Sequence, residues 1–136
     1  MIKILFICHG NICRSPMAEF VMKDLVQKAN LQDKIYIESA ATSTEELGNG
    51  MHRGTVTKLR QENIPFTNHR ARQITAQDYN NFDYLIGMDQ ENLYYMEKRW
   101  PNDTDHKISL LLEFANLCRD IADPWYTGNF DKTYAD

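Results

Sequence analysis

The sequence predicts an α/β domain of the doubly wound kind, a three-layer sandwich on four parallel strands, and three observations predict it. Apolar, β-branched runs alternate with segments of helical periodicity. The first run passes through a glycine-bearing turn directly into a well-marked helix. A chain of 136 residues, 43% hydrophobic and 25% charged, supports one ordinary core and not two, so residues 1–136 are expected to be a single domain. Strand and helix in alternation argue for βαβ units, a parallel sheet and right-handed crossovers.

Residues 3–7 read as a buried strand. The N-terminal run is far too short for a membrane span and lacks the small-residue cleavage site of a signal peptide. Residues 8–15 supply a turn. Ser15 then suits an N-cap and Pro16 the first helical position, with Ala18, Val21, Met22, Leu25, Val26 and Ala29 on one face and Asn30 as the stop. A second strand is expected over 34–41, then a long polar loop over 42–54 whose length suggests binding. A helix over 55–63 must end before Pro65, because the residue preceding proline is pushed away from helical angles. A third strand follows over 83–88. Asp89 caps a helix carrying Leu93, Met96 and Trp100 that Pro101 ends, and residues 107–111 form the fourth strand.

Net charge is −4, so no basic face for nucleic acid is visible in bulk, and any bound anion must be held locally. Three cysteines, an odd number, with no secretory signal, point to a reducing, cytoplasmic setting and not to a disulfide framework. Their spacing lacks the pairing of a zinc site, so no metal and no cofactor are expected, nor any membrane partner.

In doubly wound sheets ligands sit beyond the carboxyl ends of the strands, and the segment Cys8-His9-Gly10-Asn11-Ile12-Cys13-Arg14-Ser15 occupies that location. Gly10 and Asn11 are the residue types that most readily take left-handed angles, so this loop can curl until successive N–H groups converge as an anion nest. The helix beyond adds its positive end, and Arg14 a planar fork matched to two phosphate oxygens. The same groups favour Cys8 as a thiolate nucleophile. Each feature alone is ordinary: a small strand residue, a turn, a surface charge. Their conjunction is not.

That segment resembles the signature of the low-molecular-weight protein tyrosine phosphatases, Cys-x5-Arg-Ser followed by Pro. The resemblance continues through Ser39-Ala40-Ala41-Thr42-Ser43, His69-Arg70-Ala71-Arg72-Gln73-Ile74-Thr75, Phe82-Asp83-Tyr84, Met88-Asp89 and Asp123-Pro124-Trp125-Tyr126. It implies a four-stranded sheet in the order 2-1-3-4 with a phosphate-binding loop after the first strand. It implies that Cys8 attacks phosphorus, that Arg14 binds equatorial oxygens, and that Ser15 hydrogen-bonds the sulfur as it leaves. Asp123 becomes the general acid; without the resemblance an Asp-Pro turn is usually a solvated one. Asn11, Ser39 and His69 become a supporting set that holds Asn11 in a strained conformation.

Two departures stand out. The aromatic wall of the substrate cleft falls here at Glu45 or Glu46, so stacking rests on Trp125 and Tyr126. The final helix, begun by Asn129 and anchored by Phe130 and Tyr134, looks cut short at Asp136.

The substrate implied is a phosphotyrosine-containing protein or a small aryl phosphate, and the protein a monomer or weak dimer. Cys13, in the same loop as Cys8, makes a protective disulfide a further expectation. Protein arginine phosphatases are the alternative, although they tend to carry threonine where this chain has Ile12. A non-hydrolysing phosphocysteine carrier has little use for Asp123. Arsenate reductases of this architecture shuttle a disulfide through a mobile segment, and residues 76–97 contain no cysteine.

Overall fold

The structure, a computed structural model, describes residues 1–115, Ile121, Thr133 and Tyr134. In chain order the elements are β1 (Ile2–Cys8), α1 (Arg14–Lys28), β2 (Ile35–Ala41), α2 (Arg53–Gln61), α3 (Asp78–Asn81), β3 (Tyr84–Gly87), α4 (Gln90–Arg99), β4 (Ile108–Leu110) and a 3₁₀ turn (Leu111–Ala115). The sheet runs β2-β1-β3-β4, all parallel, as expected. Central β1 pairs with β2 from Ile2↔Ile35 to Cys8↔Ala41 and with β3 from Ile4↔Tyr84 to Ile7↔Gly87.

The strand alternation divides the core in two. Ile4, Phe6 and Cys8 face one side with Ile37 and Ile86, beneath Ala18, Met22 and Val26 of α1. Leu5 and Ile7 face the other with Leu85, beneath Met96 of α4 and Trp100. Helices on both faces make the three layers. Gly87 lets α4 approach closely, since a Cβ there would lie 3.1 Å from Met96 Sδ and 3.2 Å from Asn92 Cβ.

Three expectations need correction. Helix α1 begins at Arg14, and Cys13 occupies its N-cap without a side-chain cap; Ser15 is buried and its hydroxyl is used elsewhere. The single apolar stripe on α1 is also too simple. Leu25 is 57% exposed, whereas Met17 and Phe20 are buried against Leu59 of α2 and Ile64, because α1 is covered by both the sheet and a second helix. The short α3 and the 3₁₀ turn were not foreseen, having too few residues to show a period. Other boundaries agree to within two residues, and Asn30 and Asn63 end their helices at φ 57° each. Asp89 caps α4 as expected: it accepts from the Asn92 amide at 2.8 Å within a reciprocal capping box.

Of the terminal segment, Tyr134 packs against the cluster of Met17, Phe20, Leu59 and Ile64, and Lys58 lies over its ring at 5.2 Å. Phe130 lies outside the described residues. Among the described residues no helix is long and apolar enough to cross a membrane.

Candidate active site

The loop between β1 and α1 is shaped by one residue in the left-handed region. Asn11 has φ 60° and is fully buried. Gly10, expected to share that role, has no positive φ. It serves by size instead, since a Cβ there would stand 3.3 Å from Glu46 Cγ.

The loop is held from outside through its carbonyls. Cys8 O accepts from Thr42 N at 3.0 Å, His9 O from Ser43 N at 3.1 Å, Ile12 O from His52 N at 2.9 Å and Cys13 O from Met17 N at 3.1 Å. His69 Nε2 donates to Asn11 O at 2.8 Å. In a trans peptide the C=O and the following N–H point in opposite directions. Five carbonyls turned outward therefore turn the amides of His9, Gly10, Ile12, Cys13 and Arg14 toward the hollow of the loop, beside the positive end of α1. The Asn11 amide points at the Cys8 sulfur, 3.3 Å away.

Hydrogen-bond directions at the sulfur follow from the Asn11 side chain. Its Oδ1 accepts from Arg72 N at 3.3 Å, which leaves Nδ2 as the donor to Ser15 Oγ at 2.8 Å. With a lone pair so occupied, the Ser15 hydroxyl has its proton available for Cys8 Sγ at 3.0 Å; Ala40 O, at 3.5 Å, is the weaker acceptor in distance.

The segment carrying His69 and Arg72 is seated by the end of β2, where Ala41 N donates to Arg72 O at 2.7 Å and Ile74 N to Ala41 O at 2.8 Å. Burial works against the Arg72 cation, but pairing with Asp78 at 3.0 Å and with Glu38 at 3.5 Å outweighs it and holds its pKa above the ordinary value.

Ser39 meets this segment through Glu19. Its hydroxyl donates to Glu19 Oε1 at 2.5 Å, and Glu19 Oε1 stands 3.9 Å from His69 Nδ1. Among the described residues, Ser39 connects to Asn11 through Glu19 and His69. Glu19, buried and also paired with Lys23 at 2.5 Å, is a residue the sequence reading missed, because a Glu four residues before a Lys on a helix reads as a surface pair.

Arg14 is 3% exposed, which excludes a surface charge. Its Nη1 donates to Asp89 Oδ2 at 2.6 Å and to Ile121 O at 2.9 Å. Asp89 therefore does two things, capping α4 with one oxygen and holding Arg14 with the other. Only the cap was legible in sequence.

His9 is more than a solvent-facing loop residue: its Nε2 lies 2.8 Å from Glu45 Oε2. Asp123, Trp125 and Tyr126 lie outside the described residues. Among the described residues no three His, Cys, Asp or Glu side chains gather in a metal-holding group.

A cysteine at the end of a central strand, amides turned into the loop behind it and a buried arginine opening the helix that follows form an arrangement with known relatives. The family model described as low molecular weight phosphotyrosine protein phosphatase matches residues 3–136. The chain belongs to this family. It is 42% identical over 134 residues to the low molecular weight protein-tyrosine-phosphatase YfkJ of Bacillus subtilis, covering 97% of this chain and 86% of that protein. The crystal structure of YfkJ superposes with a TM-score of 0.95, covering 99% of this chain and 86% of that one. The low molecular weight protein tyrosine phosphatase SP-PTP of Streptococcus pyogenes gives 0.88 at 44% identity, over 99% and 85% of the two chains. A Drosophila arginine phosphatase gives 0.90 at 36% identity, over 98% and 89%. In this family member, then, the strand order and the position of Cys8 after β1 agree with those of solved phosphatase structures.

Proposed function

We propose that this protein, as one phosphatase domain over residues 1–136, hydrolyses phosphotyrosine in proteins and small aryl phosphates through a phosphocysteine at Cys8. The observation that carries the reading is the set of five outward carbonyls around the Cys8 sulfur, because it turns the loop amides toward a place where a phosphoryl group can sit. The amides and Arg14 bind the equatorial oxygens. The Cys8 thiolate attacks phosphorus; the S–P bond forms as the P–O bond to the aryl group breaks, and Asp123 protonates the departing oxygen. Water, deprotonated by Asp123, then attacks phosphorus, and the sulfur leaves as a thiolate that accepts the Ser15 proton in a hydrogen bond. The reaction uses no metal or cofactor.

Support for Asp123 comes from its neighbour. Ile121 O is bonded to Arg14 and Ile121 N to Met88 O at 2.8 Å, and two residues of chain reach at most about 7 Å beyond that anchor. Trp125 and Tyr126 are the proposed stacking residues of the cleft. Asp123→Asn should slow poor leaving groups about 10²–10⁴-fold and activated ones far less. Equal losses on both substrates would remove Asp123 from proton transfer and revive a phosphocysteine carrier.

The arginine phosphatase neighbour keeps a second reading in play. Ile12 weighs against it, being apolar, 8% exposed and packed with Cys13 and Ala71, with no hydroxyl to offer a guanidinium. Turnover of phosphotyrosine and phosphoarginine peptides, with Cys8→Ser as control, decides between them. We expect phosphotyrosine to be preferred, Cys8→Ser to be inactive, and phosphate or vanadate still to bind that variant; residual turnover would overturn the covalent route.

A net charge of −4 weighs against a nucleic-acid partner and an odd number of cysteines favours a reducing, cytoplasmic setting; the protein is proposed to act there as a monomer or weak dimer without a membrane partner.

A further inference from the structure

Where relatives are expected to carry an aromatic wall, this chain carries a carboxylate clasp. His9, the second residue of the loop, is held by Glu45 from the 42–52 segment at 2.8 Å. Its other ring nitrogen, buried and without a hydrogen bond among the described residues, faces Glu91 of the first turn of α4 at 3.7 Å. Glu46 lies over Gly10, close enough that a Cβ there would be 3.3 Å from its Cγ. Three carboxylates from two elements thus border one side of the loop, and the side chains of Glu45 and Glu91 are 70% and 65% exposed. Among the described residues, the cations bonded to the 42–49 stretch are His9, when protonated, and Arg70, which donates to Gly48 O at 3.2 Å. Against these two, the three carboxylates leave a net negative balance among the described residues.

We propose that this rim selects phosphotyrosine sites with a lysine or arginine beside the phosphorylated residue and disfavours sites flanked by acidic residues. The inference rests on the phosphatase reading above. With Cys8 at the floor of the loop and 3% exposed, the phosphorylated side chain must enter the loop, and its neighbours in the peptide must cross the rim. Repulsion of an acidic flank and attraction of a basic one both act there, before and during docking. Because His9 ties Glu45 in place, its carboxylate is positioned before the peptide arrives.

The test is a ratio of kcat/KM values for two phosphotyrosine peptides that differ only in a flanking Lys or Asp. In the unaltered protein the Lys peptide should be favoured about fivefold, the scale of a few exposed charge pairs, and the ratio should shrink in high salt. In the double variant Glu45→Gln, Glu91→Gln the ratio should fall toward one. A ratio near one in the unaltered protein, or one that survives in the double variant or is indifferent to salt, would overturn the proposal. Should the protein hydrolyse neither peptide nor a small aryl phosphate, the phosphatase reading fails separately. The rim is then judged by affinities of the same peptides for Cys8→Ser, where equal binding overturns it.

Discussion

The Ser15 hydroxyl stands 3.0 Å from the Cys8 sulfur and accepts from Asn11 Nδ2 at 2.8 Å, so its proton is left available to the sulfur by the same residue whose left-handed backbone shapes the loop. Local strain and reactive geometry are coupled through a single asparagine. His69 and Arg72 hold that asparagine from outside, and Glu19 and Ser39 stand behind His69.

Ser15→Ala removes a donor that matters most when the sulfur carries charge, which is when it leaves phosphorus. One hydrogen bond to a charged group is worth about 1.5–3 kcal/mol, so steady-state turnover should fall about 10–10²-fold. A stoichiometric burst of aryl product should persist, because formation of the phosphocysteine depends less on that bond. Burst and steady-state rates lowered equally would assign Ser15 a purely structural part.

Cys13 is buried with Ile12 and Ala71, and both loop thiols are reduced. Peroxide that converts Cys8 to a sulfenic acid should give a Cys8–Cys13 disulfide, with activity restored by thiol. In Cys13→Ser the same treatment should produce irreversible sulfinic and sulfonic products at Cys8. Mass spectrometry detecting no linked peptide in the unaltered protein, and equal irreversible loss in both, would leave Cys13 a packing residue only.

Asp103 positions the start of β4. Burial raises its pKa, but donation from Lys107 N at 2.8 Å, from Tyr79 OH at 2.7 Å and from Ile108 N at 3.1 Å outweighs this and holds it below the ordinary carboxylate value. A carboxylate whose folded pKa is depressed adds stability above its unfolded pKa and loses it as pH falls through the folded one. The stability gap between the unaltered protein and Asp103→Asn, measured by urea unfolding, should be constant near neutrality and close progressively as pH falls through the acid range towards the depressed folded pKa. A gap independent of pH down to about 2 would mean that charge plays no part.

The sheet was legible because each strand is a short apolar run between turn residues, and the loop because Cys8, Gly10, Asn11 and Arg14 fall together between strand and helix. What escaped was set by contacts that form only once the chain has folded. Glu19 meets Ser39 and His69 only after α1, β2 and the 69–75 segment have packed, and at the sequence level it is one more polar helix residue. Ser15 looked like a cap because serine before proline usually is one, yet here Asn11 and Cys8 claim its hydroxyl. Glu45 and Glu91 are 46 positions apart and meet only at His9.

Asp89 offers the sharpest separation of roles, because its two oxygens serve different partners. Oδ2 holds Arg14 Nη1 at 2.6 Å, and Oδ1 caps α4 through the Asn92 amide at 2.8 Å. Asparagine keeps one acceptor for the cap but presents an NH₂ group, and no charge, to Arg14. Alanine loses both. Both variants should therefore lose turnover by a similar factor, about 10–10²-fold, as a guanidinium no longer fixed by a charge-assisted bond settles off the phosphate-binding geometry. Their stabilities should differ by about 1 kcal/mol, the value of an N-cap, with Asp89→Ala the weaker. Steady-state kinetics on an aryl phosphate and urea unfolding of the two variants check both halves. If Asp89→Asn keeps near-native turnover and only Asp89→Ala fails, Asp89 acts on catalysis through the helix cap, and Arg14 owes its placement to its other contacts.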